Sequence, residues 1–305
     1  MPSVSRRKPK APGASRRNAL PPLEILRAES LADLPWLVHG FSTREGGVST
    51  FYGGSTLNLG MTSHDTKDNV ERNRARFLAA VGAATDDERW PLQQVKQIHS
   101  AIVHRVNEPA REPLSGDGLI TNVPGILLAI KTADCVPVLV VDVKRRVVGA
   151  FHAGWRGTVA RIVEKGIGEM RRQFGSLPRE LRAAIGPSIR CCCYPVGAEV
   201  RSEFESQFSY ADDLFEEVFD SNAIHVRYPL LFLNQRAPGH GDLGPEIHLD
   251  LVEANKRQLT DAGLREEHIS VIGGCTACDT TRFFSHRAEF GKTGRMMAVV
   301  GIRPE

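Results

Sequence analysis

The chain has 305 residues, 41% of them apolar and 25% charged, with a formal net charge of +3; this is the balance of a globular protein that can bury a sizeable core. Its densest apolar stretch, 126–143, is broken by Lys131, Asp134 and Asp142, so nothing approaches the roughly 18–20 apolar residues of a membrane span. No basic stripe with interleaved aromatic residues occurs, which argues against a nucleic-acid partner.

Residues 1–22 are expected to be a disordered basic tail. The first twenty residues carry Arg6, Arg7, Lys8, Lys10, Arg16 and Arg17 and no acid, which leaves a net −3 on the rest of the chain. Pro, Ser, Ala and Arg with few large apolar residues cannot offset the entropy of ordering. The tail lacks the apolar region of a secretory signal, and prolines interrupt any amphipathic transit helix. Six cysteines, three of them adjacent, are too few and too crowded for a disulfide scaffold. A reduced, cytoplasmic protein is the expectation.

After the tail, "WLVHGF" (36–41) reads as a strand and the Gly-, Ser- and Thr-rich 42–60 as a loop. Asp68, with Glu71 three residues on, reads as the capping box of a helix carrying Val70, Phe77, Leu78 and Val81 and ending at Gly82. Runs at 126–130, 136–141 and 147–151 are rich in Val and Ile and read as buried strands. A helix is expected from Thr158 to Phe174, closed by Gly175, with a strand at "RAAIG" (182–186) and another helix over 196–208. Asp250 and Glu253 are expected to cap a helix ending near Gly263, and "ISVIGG" and "MMAVVGI" supply late strands. Clustered strands with only some helices between them predict a single α/β domain over 23–305, a mixed sheet with flanking helices.

Several motifs are absent. No glycine run ends in G-K-[ST], no G-x-G-x-x-G follows an expected strand, and no histidine begins H-E-x-x-H or is followed two residues later by glutamate. Phosphate-loop, dinucleotide, metalloprotease and base-deaminase signatures are all missing. What remains is "KTADCVPVLVVDVKRRVVGAFHAGWRG" (131–157), in which Cys135 and His152 border apolar runs. Three readings stand side by side. The residues are structural; or Cys135 and His152 form a nucleophile–base pair with Asp134 as orienter; or they are two ligands of a metal whose third is His99 in "QQVKQIHS". The pair Cys275-x-x-Cys278 is expected to be structural, as a lone pair of this kind more often is; its alternatives are a redox-active pair or half a metal site, with Cys191, Cys192 and Cys193 as further candidates, although inert packing is expected for at least two of those three. Arg44, Asn58, Arg74, Arg156 and Arg287 lie near loops, where a guanidinium fork can bind phosphate or carboxylate.

The motifs "FSTREGGVS", "LNLG", "NVERNR", "QxH", "TADCVPV", "HAGWRG", "AIGPSI…CCYPVG" and "CTAC…FFSHR" occur in this order from residue 41 to 287. The series resembles the YfiH/laccase-domain family, whose bacterial members are called peptidoglycan editing factors or polyphenol oxidases. The resemblance covers roughly residues 23–304. It implies a single α/β domain with a fold related to deamidating cytotoxins, and a zinc site on His99, Cys135 and His152. It also implies purine nucleoside chemistry: phosphorolysis of adenosine, inosine or methylthioadenosine, and deamination of adenosine, so that purine nucleoside and inorganic phosphate are the partners. Zinc on two imidazoles and a thiolate can lower the pKa of bound water from about 15.7 toward 7. Arg44, Asn58 and Arg74 are carried as substrate-binding residues. Asp134 or Asp117 is carried as acid–base or as a group orienting a ligand. The alternatives are a copper-dependent polyphenol oxidase and a hydrolase acting on a peptidoglycan precursor through Cys135. The chain departs from the family pattern at Ser100, where glycine is common, and at His286, where tyrosine is common.

Overall fold

The computed structural model describes residues 22–84, 89–219, 227, 230 and 245–305; the basic tail expected over 1–22 falls outside them apart from its last residue. Strands are numbered β1 to β16 along the chain. One sheet has the order β1 (Ile25–Leu26), β2 (Leu37–Ser42), β16 (Met296–Ile302), β8 (Leu127–Thr132), β4 (Leu92–Lys96) and β6 (Leu114–Ser115). A second has the order β15 (Ile269–Val271), β11 (Leu181–Ile185), β9 (Val136–Asp142), β10 (Val147–Ala153), β7 (Gly118–Thr121) and β5 (Val103–Arg105). A small third sheet joins β12 (Pro195–Val196), β14 (Glu246–Leu249) and β13 (Phe215–Val218). Both large sheets mix parallel and antiparallel pairs, as the clustered strands predicted.

The two large sheets pack face to face. In β9, Val136, Val138 and Val140 point one way and Leu139 and Val141 the other, the period-two alternation of a strand. The second set meets Leu128, Ile130, Ala298 and Val300 of the first sheet. The first set meets α3 (Ile162–Phe174), α4 (Ala198–Gln207) and α5 (Leu251–Asp261). On the far side of the first sheet, α1 (Lys67–Val81) buries Phe77, Leu78 and Val81 against Val38, Ala129 and Val299. Burial on both faces is why these strands read as continuous apolar runs.

Local signals were followed with some substitutions. Thr66, rather than Asp68, caps α1: its hydroxyl accepts the Asn69 amide at 3.2 Å, and Asp68 sits in the first turn, where its charge favours the helix N-terminus. Gly82 closes this helix at φ 83°, a left-handed conformation that glycine takes without Cβ strain. The helix expected from Thr158 is two pieces, α2 (Trp155–Val159) and α3, separated at Arg161, whose φ is 61°. Asp250 caps α5 by accepting from Val252 and Glu253, whereas the Glu253 carboxylate turns to Arg257. Within 42–60 the chain also forms a strand, β3 (Glu45–Ser49), and "ISVIGG" is strand only over its first three residues.

Candidate functional site

Sheet register brings the candidate residues together. Cys135 ends the turn between β8 and β9, and His152 lies opposite Pro137 in the antiparallel β9–β10 pair, so both sit at one end of the central strand pair of the second sheet. On the other side of β10, Phe151 is paired with Gly118, which brings Asp117 beside His152. The His152 amide donates to the Asp117 carbonyl at 2.8 Å, and the imidazole Nδ1 donates to the Asp117 carboxylate at 2.8 Å. Because the carboxylate holds the Nδ1 proton, Nε2 is the nitrogen left with a lone pair for a ligand.

Asp117 also organises the turn that carries His99. Its carboxylate accepts from the amides of Ile98, His99 and Ser100 at 3.2, 3.1 and 2.6 Å, and from the Ser100 hydroxyl at 2.7 Å. This wrapping holds His99 at φ 58°, a conformation that costs a non-glycine residue energy unless its surroundings impose it. Two residues earlier, Gln97 grips the Lys131 backbone twice, at 2.7 and 3.0 Å, tying the turn to β8. Ser100, the departure from the common glycine, thus gains a hydroxyl partner in Asp117.

The donor atoms of His99, Cys135 and His152 all lie within 4.8 Å of one another. The His99 Nε2 to Cys135 Sγ distance is 3.9 Å, and the two imidazole rings stand edge to face with centroids 5.0 Å apart. A side chain at Gly154 would bring its Cβ to 2.8 Å from His99 and 3.0 Å from Cys135, so glycine is required for this approach. Electrostatics reinforces the group. Burial opposes ionisation of Cys135, but His152 and His99 outweigh it and bring the thiol down to about 6. Burial likewise opposes protonation of His152, yet Cys135 and Asp117 lift it to about 9. Asp117 is lowered to about 2, its burial outweighed by His152 and Ser100. Two nitrogens and one thiolate match the protein donor set of a catalytic metal site, and the Asp117–His152 hydrogen bond supplies the outer support such sites use.

The other expected residues are distributed differently. Asp134 stands beside Cys135 at φ 91°, but its carboxylate accepts from the Thr276 hydroxyl at 2.6 Å and the Arg287 amide at 2.7 Å. Orienting His152 falls to Asp117. The Arg44 guanidinium donates to Glu289 and to the carbonyls of Thr280 and Tyr52, so its fork braces the 280–289 segment. Asn58 is fully buried and bonds to Gly60, Asp65 and Arg295. Arg74 donates to Leu59, Glu71 and Gln94, in the electrostatic neighbourhood of Lys131 and Arg295. Nearer to Cys135 is Tyr194, half-buried within "CCYPVG". Burial raises its phenol first, Cys135 adds to the rise, and Arg287 and Arg156 oppose it. Arg287 stacks over the Tyr194 ring at 5.3 Å, and the exposed Arg156 over Trp155 at 4.2 Å. Tyr194 escaped the sequence reading because one tyrosine beside three cysteines carries no spacing signal.

Residues 38–303 match the family model described as multi-copper polyphenol oxidoreductase laccase. A purine nucleoside phosphorylase of Deinococcus radiodurans is 38% identical over 283 residues, 92% of this chain and 94% of that protein. Adenosine deaminase RL5, from an unknown prokaryotic organism, is 34% identical over 85% of this chain and 91% of its own length. The crystal structure of the Bacillus licheniformis hypothetical protein YfiH superimposes with a TM-score of 0.74 at 31% identity, covering 89% of this chain and 94% of that one. The chain belongs to this laccase-like, YfiH-type family, and its mixed α/β architecture is the family's.

Proposed function

We propose that the chain is a zinc-dependent purine nucleoside phosphorylase that also deaminates adenosine, carried by one catalytic domain over residues 23–305. The observation behind this reading is the convergence of two imidazoles and a thiol on one point, with Asp117 bonded both to His152 and to the turn bearing His99. The names of the Deinococcus and RL5 relatives support purine nucleosides as the substrate class. His99, Cys135 and His152 would hold the metal, and a bound zinc would supply Lewis-acid polarisation at the reacting centre. The ligand set is thiolate and imidazole, which also suits copper.

The chain's own groups have distinct tasks in this reading. Asp117 fixes the His152 tautomer and the His99 turn. Arg287, which stacks on Tyr194, and Arg156, whose charge acts on the same phenol, would hold phosphate or the nucleoside's polar edge through fork-like donors. Tyr194, kept protonated by burial, would offer a proton to the purine nitrogen as the bond to the anomeric carbon breaks and a phosphate oxygen takes its place. Arg74, with Lys131 and Arg295, forms a second cationic group for the substrate phosphate or sugar.

A second reading rests on the same geometry: Cys135 favoured as thiolate, His152 as its partner and Asp117 behind the imidazole form a nucleophile–base–orienter chain. Metal analysis of purified protein, paired with an assay of adenosine plus phosphate, separates the two. Loss of about one zinc per chain in His99→Ala, together with loss of adenine and inosine formation, is the outcome expected of a three-ligand site. Turnover by fully metal-free protein that vanishes on Cys135→Ser would replace the phosphorylase reading by the hydrolase. Copper at this site with phenol oxidation and no nucleoside turnover would replace it by the polyphenol oxidase.

A further inference from the structure

A second group of soft donors lies apart from His99, Cys135 and His152. Cys192 and Cys193 belong to a single 3-10 turn (Cys191–Cys193) after β11, and Cys275 and Cys278 to the loop after β15. Because β11 and β15 are parallel neighbours, the loops that follow them leave the sheet at the same edge. Their backbones are then sewn together. Ser188 bridges to Cys275, and its carbonyl accepts the Thr276 amide at 3.1 Å.

This brings the four sulfurs within 4.8 Å of one another, with Cys192 to Cys278 at 3.6 Å and Cys193 to Cys278 at 3.2 Å. Four thiolates at about 2.3 Å from a tetrahedral zinc stand about 3.8 Å apart, so each of these spacings is within about 1 Å of that arrangement. The Arg190 amide donates to the Cys275 sulfur at 3.4 Å, as backbone amides do to metal-bound thiolates to offset their charge. Cys192 and Cys278 are exposed. That departs from the inert packing expected of the cysteine triplet, and only Cys191 stays out of the group.

We infer that Cys192, Cys193, Cys275 and Cys278 bind a structural zinc ion. Four protein ligands leave no open position, so this ion does no chemistry. It would instead staple the two loops that hold Asp134, the residue before Cys135. Asp134 accepts the Ile189 amide through its carbonyl at 2.9 Å and the Thr276 hydroxyl through its carboxylate at 2.6 Å. Ile189 and Thr276 lie three residues before Cys192 and one after Cys275.

The test uses the full chain purified under reducing conditions and needs no nucleoside. Zinc content should be about two ions per chain in the wild type and about one in a Cys192→Ser, Cys278→Ser double variant, as expected for a four-thiolate site beside a separate three-ligand one. His99→Ala should also retain about one, so failure here and failure of the catalytic-site reading leave different traces. The wild type alone gives a second readout. Thiol titration of native protein should leave these four cysteines unreactive until chelator is added, and cobalt uptake should give tetrathiolate charge-transfer bands. Rapid titration of all four thiols without chelator would overturn the inference. So would a denatured mass lower by two hydrogens with a Cys193–Cys278 crosslink, which would mark a disulfide instead.

Discussion

Asp117 concentrates more of the candidate site than any of the ligands it supports. One carboxylate receives the His152 imidazole, three successive amides and the Ser100 hydroxyl. The His99 amide and the His152 imidazole share Oδ1, and the Ile98 amide, the Ser100 amide and the Ser100 hydroxyl share Oδ2; an amide keeps one acceptor oxygen, so one of these two sets loses its partner and faces an N–H donor instead. Asp117→Asn should therefore keep the shape of the side chain while loosening either the His152 tautomer or the His99 turn. We expect zinc affinity at this site to fall about 10–100-fold, read by competition with a chromophoric chelator, and nucleoside turnover to fall with it. Unchanged affinity would mean that the turn holds His99 without the carboxylate.

The same scale shows why spacing alone could not assign roles. Asp134 is adjacent to Cys135 in sequence, which suits it to orient the Cys135–His152 pair, yet a left-handed backbone turns its carboxylate to Thr276 and Arg287. Asp117, distant from His152 in sequence, reaches it through the register of β7 and β10.

Among the elements, α3 offers a paired comparison inside one helix. Gly166 lies against Phe151 of β10, and an added Cβ would come to 2.3 Å from that ring. Gly168, two positions on, would meet nothing within 4 Å. Alanine favours a helix interior over glycine by about 0.8–1 kcal/mol, but forcing an atom into a packed core costs about 1–3 kcal/mol. Gly168→Ala should raise stability in urea unfolding by about 0.5–1 kcal/mol, and Gly166→Ala should lower it by about 1–2 kcal/mol. Equal shifts in the two variants would show that α3 moves away from β10 to relieve the contact. The helix pattern was legible because Ile162, Val163, Ile167 and Met170 repeat on the buried face. The break at Arg161 was not legible, since nothing in an arginine demands a positive φ.

For the molecule as a whole, the candidate metal site joins the two large sheets. His99 follows β4 of the first, whereas Cys135 immediately precedes β9 and His152 lies in β10 of the second. An ion bound only by the folded chain stabilises it by mass action, about 2.7 kcal/mol at a free concentration one hundred times Kd. Zinc titration should therefore raise the unfolding midpoint of metal-stripped wild type more than that of His99→Ala, in differential scanning fluorimetry. Equal responses would place the stabilising ion at the four cysteines alone.

What the sequence determined by itself is what depends on local pattern. The strands at 136–141 and 296–302 were readable because burial on both faces demands an apolar run, and Gly82 and Asp250 because helix ends require particular backbone or side-chain groups. The ordered motifs also carried the family. Tertiary structure decided which residues meet. Asp117 with His152, Tyr194 beside Cys135, and Cys192 and Cys193 against Cys275 and Cys278 are juxtapositions made by strand register and parallel pairing. Those are set by long-range packing of whole sheets, and no spacing along the chain encodes them.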